Sequence, residues 1–325
     1  MILLTGATGY IGSHVWIDLL KASIPVIGID NLSNSKIECL DAISNISGKI
    51  PSFYKGDVRD VNFLQKIFSE NKISHVIHLA ALKDIQGSLS NRNEYFDVNV
   101  KGLEVLLSVM RSHDCLKMIF SSSAAVYGDA AVSPINELAK TQPSNWYGET
   151  KLMAEGLLCS EASGMPPITS ICLRYFNVAG RHSSGLLKNF SVSQSQSLFD
   201  QLESVANGKR EFCSIYGDSW NTVDGTCVRD YVHVSDIAKG HVGALRLLEN
   251  ISGFNPMNLG SGNGRTVKEV VSAFELAIGR SLPVKIASNR VGDVAISYSD
   301  CSKAASLIGW STSRNLLDMC SDQAR

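Results

Sequence analysis

The N-terminal stretch MILLTGATGYIGSH (residues 1–14) sets a short apolar run directly before three glycines, Gly6, Gly9 and Gly12, at the head of a helical pattern. A strand turning tightly into a helix is the opening unit of a parallel nucleotide-binding sheet. Glycines there let the backbone double back and bring its N–H groups near a pyrophosphate at the positive helix end. The spacing is GxxGxxG rather than GxGxxG, so for this stretch alone a merely structural turn is an equal reading. The next apolar run, PVIGID (25–30), shifts the balance. It ends in Asp30, about 20 residues on, where a carboxylate accepts both ribose hydroxyls of NAD and repels the 2′-phosphate of NADP. No arginine follows, and Lys36 is the next cation along the chain. The cofactor expected is NAD.

Outward from this unit the same alternation continues. HVIHLA (75–80), KMIFSSS (117–123) and TSICLRYF (169–176) are nearly continuously apolar, as strands covered on both faces tend to be. Amphipathic stretches such as 60–71 and 95–113 lie between them. Strand–helix alternation with short connections predicts a doubly wound α/β fold of Rossmann type over residues 1–176. Residues 177–325 read as a smaller, mixed α/β substrate domain with segments returning to the first. There, 235–249 is a predicted helix opened by a Ser or Asp cap, and 265–279 another, closed by Gly279. The Ser- and Gln-rich stretch 181–199 has weak periodicity, and fits a disordered insertion or an ordered loop over a ligand equally.

The bulk numbers narrow the class. With 44% hydrophobic and 19% charged residues in 325, the chain has room for one large or two ordinary domains. A net charge of −1, with both signs scattered, offers no footprint for nucleic acid or an anionic membrane. No apolar run reaches membrane-spanning length, and the N-terminus lacks signal-peptide features. The eight cysteines are widely spaced, which fits reduced, small apolar side chains rather than disulfides or a metal site. A cytoplasmic enzyme with small-molecule ligands is expected.

The strand at 117–123 ends in Ser121, Ser122 and Ser123, where ligands bind in an open parallel sheet. A lone serine there more often caps the next helix. WYGETK (146–151) supplies Tyr147 and, four residues on, Lys151. If 147–159 is helical, the two share a face one turn apart. In a chain with nine tyrosines this spacing also arises by chance, and a buried tyrosine beside an exposed lysine is the plain structural alternative. A free tyrosine titrates near pH 10, so it serves as a base only where neighbouring positive charge favours the phenolate. Ser, Tyr and Lys following a nucleotide fold in this order give the set its weight.

With these residues in place, the sequence resembles the extended short-chain dehydrogenase/reductase family, and within it the UDP-hexose 4-epimerases. The matching stretches are TGATGYIGSH, DNLSNS (30–35), GDVRD (56–60), HLAALK (78–83), SSSAAVYG (121–128), YGETK (147–151), LRYFNVAG (173–180), DGTCVRDYVHVSD (224–236) and NLGSG (258–262), and they span essentially the whole chain. The resemblance implies that Tyr147 is the acid/base. It gives Ser123 a shared hydrogen bond to the sugar 4-OH, and Lys151 the nicotinamide ribose and a lowered tyrosine pKa. It places Gly6, Gly9, Tyr10, Ile11, Gly12, Asp30, Asn31, Asn34, Ser35, Asp57, Val58, Ala80, Ala81, Lys83, Asn99, Ser121 and Tyr175 around NAD. It places Lys83, Asn177, Gln196, Ser197, Leu198, Ile215, Tyr216, Arg229, Arg290, Asp293 and Ser297 around a UDP-sugar. The implied chemistry is loss of the C4 hydrogens as a proton to Tyr147 and hydride to NAD⁺. The bound 4-keto sugar turns over, hydride returns to its other face, and NAD stays bound.

Departures from the pattern refine the expectation. At 196–198 the family usually has Asn-Asn-Leu where QSL stands here. Ser297 aligns with a position where a tyrosine restricts the pocket to glucose and galactose. A small residue leaves room for a 2-N-acetyl group, whereas a one-residue shift would put Tyr298 there. UDP-GlcNAc/UDP-GalNAc interconversion is therefore expected, with UDP-Glc/UDP-Gal alongside. An epimerase confined to plain hexoses is the alternative. A dehydratase or decarboxylase of the superfamily would want acidic residues where Ala124 and Ala125 stand, and a sensing module would need no acid/base set. The chain ends at LLDMCSDQAR, earlier than is usual in the family, with the expectation of a weaker last helix. A homodimer through helices near 95–113 and 150–162 is expected.

Overall fold

The computed structural model describes residues 1–130, 132–187, 190, 197–290 and 292–325. In chain order these form β1 (Ile2–Thr5), α1 (Tyr10–Lys21), β2 (Val26–Asp30), α2 (Cys39–Ser47), β3 (Ser52–Lys55), α3 (Val61–Glu70), β4 (His75–His78), α4 (Ile85–Ser90), α5 (Arg92–Phe96), α6 (Gly102–Ser112), β5 (Lys117–Ser123), α7 (Trp146–Glu161), β6 (Thr169–Tyr175) and β7 (Asn177–Ala179). Then follow α8 (Leu198–Ala206), β8 (Cys213–Tyr216), β9 (Val228–His233), α9 (Val234–Leu247), β10 (Phe254–Leu259), β11 (Gly264–Thr266), α10 (Val267–Ile278), β12 (Val284–Ala287), β13 (Ile296–Ser297), α11 (Ser302–Ile308) and α12 (Leu316–Ala324).

Seven strands build one parallel sheet in the order β10-β6-β5-β4-β1-β2-β3. The order reverses at β1 and β4, so the crevice beyond their carboxyl ends is the ligand-binding switch point of a doubly wound sheet. Helices cover both faces, which is why β1, β4, β5 and β6 carry apolar residues at successive positions rather than alternate ones. One apolar layer forms around Trp16, Ile17, Leu19 and Ile237, the other around Leu64, Leu106, Met110 and Phe120.

Past residue 177 the chain returns twice to this sheet. α9 packs on α1, and β10 pairs with β6 to complete the seventh strand. Asn255, Pro256 and Asn258 interrupt the apolar run of β10, which hides it from a hydrophobicity reading. Small sheets made of β11, β9, β13 and β7, and of β12 and β8, form the remainder with α8, α10 and α12.

Two helical expectations are corrected. The stretch 95–113 is not one helix: a π-helical turn, Asp97–Lys101, separates α5 from α6. That turn carries Asn99, whose amide pairs with both backbone groups of Leu82. The helix expected at 235–249 begins at Val234 and is capped by His233, whose ring accepts the Ser235 N–H at 3.0 Å. Asp236 is instead fully buried, accepting the Ser313 and Arg314 N–H groups. α10 follows expectation, with a Thr266–Glu269 capping box and Gly279 left-handed at φ +72°. The last helix, α12, has its own capping box at Asn315 and Asp318 and buries Met319 and Cys320.

Candidate active site

The turn after β1 admits only glycine where it matters most. A Cβ on Gly12 would sit 2.1 Å from the Gly6 carbonyl oxygen. One on Gly6, itself at φ +65°, would sit 2.7 Å from the Ala80 nitrogen beyond β4. Gly9 is the N-cap of α1 and gives it no side-chain cap, so the first-turn N–H groups keep their capacity for an anion. Asp30, at the end of β2, accepts the Thr8 N–H at 3.2 Å and the Leu32 N–H at 2.9 Å, and the Ser35 hydroxyl lies 3.4 Å away. Asn31 donates to Asp57 at 2.9 Å, and Arg59 pairs with the same carboxylate. The Arg59 hydrogen bond holds Asp57 well below the usual carboxylate range.

A glycine-only cradle, an uncapped helix end and a carboxylate at the second strand fit NAD, and the residues that follow Asp30 through Lys36 include no arginine for a 2′-phosphate. Ile11 and Val58 pack into the apolar layers behind this rim, and Asn34 lies in the loop after Asp30. Ala81 follows β4, and Lys83 Nζ stands 5.6 Å over the Tyr10 ring. Tyr10 donates to the Gly180 carbonyl at 2.5 Å.

Ser123 and Tyr147 meet across β5 and α7. Asn145 caps α7, accepting the Gly148 N–H at 2.9 Å, so Tyr147 sits in the first turn with Lys151 one turn on. Ser123 is near enough to the Tyr147 hydroxyl to lower its pKa, and the Ser123 oxygen accepts the Ala125 N–H at 3.2 Å. Lys151, 2% exposed, donates to the Ser121 carbonyl at 2.7 Å, and its Nζ lies 5.9 Å from the Tyr147 ring centre. Among the chain's own groups, burial pushes Tyr147 up to about 12, against the pull of Ser123. This is opposite to the expected lowering. Burial likewise brings Lys151 down to about 7, against the charge of Glu155, so the lysine is a weaker cation than its type suggests.

Asn99 reaches Thr150 at 3.0 Å and ties the π-helical turn to α7. Tyr175, the last residue of β6, sets its hydroxyl 2.7 Å from His241 Nε2. His241 Nδ1 lies 2.9 Å from the Ile237 carbonyl, which makes Nε2 the acceptor and Tyr175 the donor.

The residues expected to face a UDP-sugar are more loosely joined. Arg229 on β9 approaches Asp293 at 3.5 Å. The Arg290 guanidinium stacks 3.7 Å over the Tyr216 ring, and its proximity lowers the Tyr216 pKa. Ile215 is buried beside Tyr216 on β8, while Asn177 is exposed at the start of β7. Ser297 lies opposite Arg229 in the β13–β9 register. Tyr298 turns the other way: its phenol reaches the Ser133 carbonyl at 3.3 Å, and its ring lies against Gly264. Ser197 caps α8 through Asp200, so its hydroxyl has a structural task, and Leu198 opens that helix. Gln196 lies outside the described residues.

Sequence reasoning missed Thr8, whose hydroxyl pairs with Ser35 at 2.7 Å, and Arg59, Thr150 and His241. It also missed Glu155, although Lys151 and Glu155 stand at helical i,i+4 spacing.

A switch-point glycine cradle beside a Ser–Tyr–Lys set at the carboxyl edge of a parallel sheet defines a dinucleotide-dependent enzyme. The chain belongs to the NAD dependent epimerase/dehydratase family, whose Epimerase domain matches residues 2–260. It is 41% identical over 325 residues to a UDP-glucose 4-epimerase of Neisseria meningitidis serogroup C, covering all of this chain and 96% of the relative. The crystal structure of UDP-glucose 4-epimerase from Bifidobacterium longum with NAD⁺ and UDP superposes with a TM-score of 0.96 at 40% identity, over 99% of this chain and 96% of that one. The UDP-Glc/GlcNAc 4-epimerase of Campylobacter jejuni superposes with a TM-score of 0.87 at 32% identity, covering 99% and 97%. The chain is thus an NAD-dependent enzyme of the epimerase family. Among the described residues no helix is long and apolar enough to cross a membrane.

Proposed function

We propose that this chain is a UDP-sugar 4-epimerase that accepts both plain and 2-N-acetylated hexoses, interconverting UDP-GlcNAc with UDP-GalNAc and UDP-Glc with UDP-Gal. The observation that carries the reaction type is Tyr147 in the first turn of α7 with Lys151 one turn behind, its Nζ 5.9 Å from the Tyr147 ring, beside the serine-ended β5 and the glycine cradle. NAD, when bound, supplies the hydride-accepting carbon and a positive ring that favours the phenolate. Tyr147 takes the proton of the sugar 4-OH and later returns it, and Ser123 holds the same oxygen in line. Burial serves this exchange by keeping bulk water from competing for the proton. Arg229, Asn177 and the Arg290–Tyr216 stack are assigned the diphosphate and uridine, and their hold on the nucleotide leaves the sugar ring free to turn over between two transfers.

Ser297 supports the wider sugar range. It shares a face with Arg229, whereas Tyr298, the alternative gate, is directed to Ser133 and Gly264. Ala124 and Ala125 provide no second acid/base pair for dehydration. A cytoplasmic homodimer belongs to the same proposal, with Ile85 and Leu89 on α4 and Met153 on α7 exposed.

The test is incubation of the purified protein with UDP-GalNAc without added NAD. UDP-GlcNAc formation is expected. Turnover of UDP-Gal alone would confine the enzyme to plain hexoses, and a 4-keto-6-deoxy product would replace epimerisation by dehydration.

A further inference from the structure

Directly behind the proposed Ser–Tyr–Lys set lies a buried polar network with no assigned task. Glu155, one helical turn beyond Lys151, is paired with Arg174 on β6 through two contacts, Nε–Oε1 at 2.9 Å and Nη2–Oε2 at 2.6 Å. The side chains are 3% and 5% exposed. Ser122, between Ser121 and Ser123, donates its hydroxyl to Glu155 Oε1 at 2.5 Å. Arg174 continues to the Tyr127 hydroxyl at 3.0 Å, and Tyr127 donates to Asn258 at 2.7 Å. A fork-to-fork pair cut off from water holds its geometry tightly. Here it joins α7, which carries Tyr147 and Lys151, to the end of β5, which carries Ser123.

We infer that Glu155 is a positioning residue for the reaction: clamped by Arg174, it fixes the end of β5 through Ser122 and sets its carboxylate one helical turn beyond Lys151 as that lysine's counter-charge. The inference rests on the epimerase reading only for its turnover arm. The titratable groups that act on the lysine are His78 on β4, Tyr147 and Glu155 on α7, and Cys172 on β6; Arg174 is paired with Glu155, and Tyr175 neighbours Tyr147 and Cys172. His78 is held neutral by burial, brought down to about 3, and burial keeps Cys172 and Tyr175 protonated. Glu155 is then the negative charge available to Lys151, and Arg174 fixes it in place. A buried ion pair contributes little net stability, so a task in orientation and charge explains its presence better.

The test reads the lysine itself. With lysine labelled at Cε, the ¹³C shift of Lys151, assigned by its loss in Lys151→Met, is followed against pH in the holoenzyme. Glu155→Gln is expected to lower the midpoint by about 1 pH unit or more, and Arg174→Met to raise it. A purely structural pair would leave the midpoint unmoved in both, and that result overturns the inference. If either variant is recovered only unfolded, Glu155→Asp decides, since it keeps the charge and shortens the reach to Ser122. It should retain the midpoint while kcat falls about tenfold with KM little changed. A lowered midpoint there overturns the charge role, and an unchanged kcat overturns the positioning role. Neither outcome depends on which sugar is turned over, which the UDP-GalNAc incubation reads separately.

Discussion

The two walls of the proposed site are built differently. The cofactor and acid/base wall hangs on the seven-stranded sheet, where Lys151, Glu155, Arg174 and Asn99 are nearly inaccessible and hydrogen-bonded at 2.6 to 3.0 Å. The nucleotide-sugar wall hangs on strands of two to six residues, with Arg229 reaching Asp293 at 3.5 Å and Asn177 exposed. Electrostatic preorganisation acts where charge develops, so rigidity belongs on the side that moves protons. A sugar that must present two faces in one cycle gains from a looser opposite wall.

Substitutions should separate the walls. Tyr147→Phe removes the proton carrier and should lower kcat by about 10²–10⁴-fold with KM little changed; a loss mainly in KM would put the acid/base elsewhere. Gly12→Ala forces a Cβ against the Gly6 carbonyl, so the protein should come through gel filtration without NAD, read from its absorbance after denaturation. On the looser wall, Arg229→Ala should raise KM by roughly 10–100-fold, the scale of one charge-assisted contact, and change kcat less. Ser297→Tyr should cut UDP-GalNAc turnover about tenfold while UDP-Gal turnover stays within a few-fold, as expected when pocket volume alone discriminates. Unchanged N-acetyl turnover would remove Ser297 from the gate.

The smallest effect concerns acid. Burial lowers His14 and His78 to about 3 and His241 to about 4. Their folded pKa values lie below the unfolded value near 6.5, so below that pH the unfolded chain binds more protons. Stability from these three should be fully present above about pH 6.5 and drain away toward about pH 3, read as a lower urea midpoint at about pH 5 than at about pH 7.5. All three lie in or against the sheet layers, so the loss should follow the rigid wall.

How much of this was legible varies by element. The strands at 2–5, 26–30, 75–78, 117–123 and 169–175 announce themselves because both faces are covered and each carries apolar residues at successive positions. β3, with exposed Ser52 and Lys55, and β10, with its proline and two asparagines, carry no such run; their neighbours in the sheet make them strands. The break in 95–113 escaped because periodicity averages over a single extra residue, while the π-helical turn answers to Leu82, far off in sequence. Lys151 and Tyr147 were readable as a pair, but not the direction of the Tyr147 shift, which burial decides.

By itself the sequence determined the nucleotide turn, the strand–helix alternation, Asp30 and the order Ser123, Tyr147, Lys151, because each depends on residue type and short-range spacing. Only the tertiary structure decided that Gly6 abuts Ala80, that Ser297 rather than Tyr298 shares a face with Arg229, and that Glu155 and Arg174 brace the serine-ended strand. Those are contacts between segments far apart in the chain, set by sheet order and strand parity, and no local pattern records them.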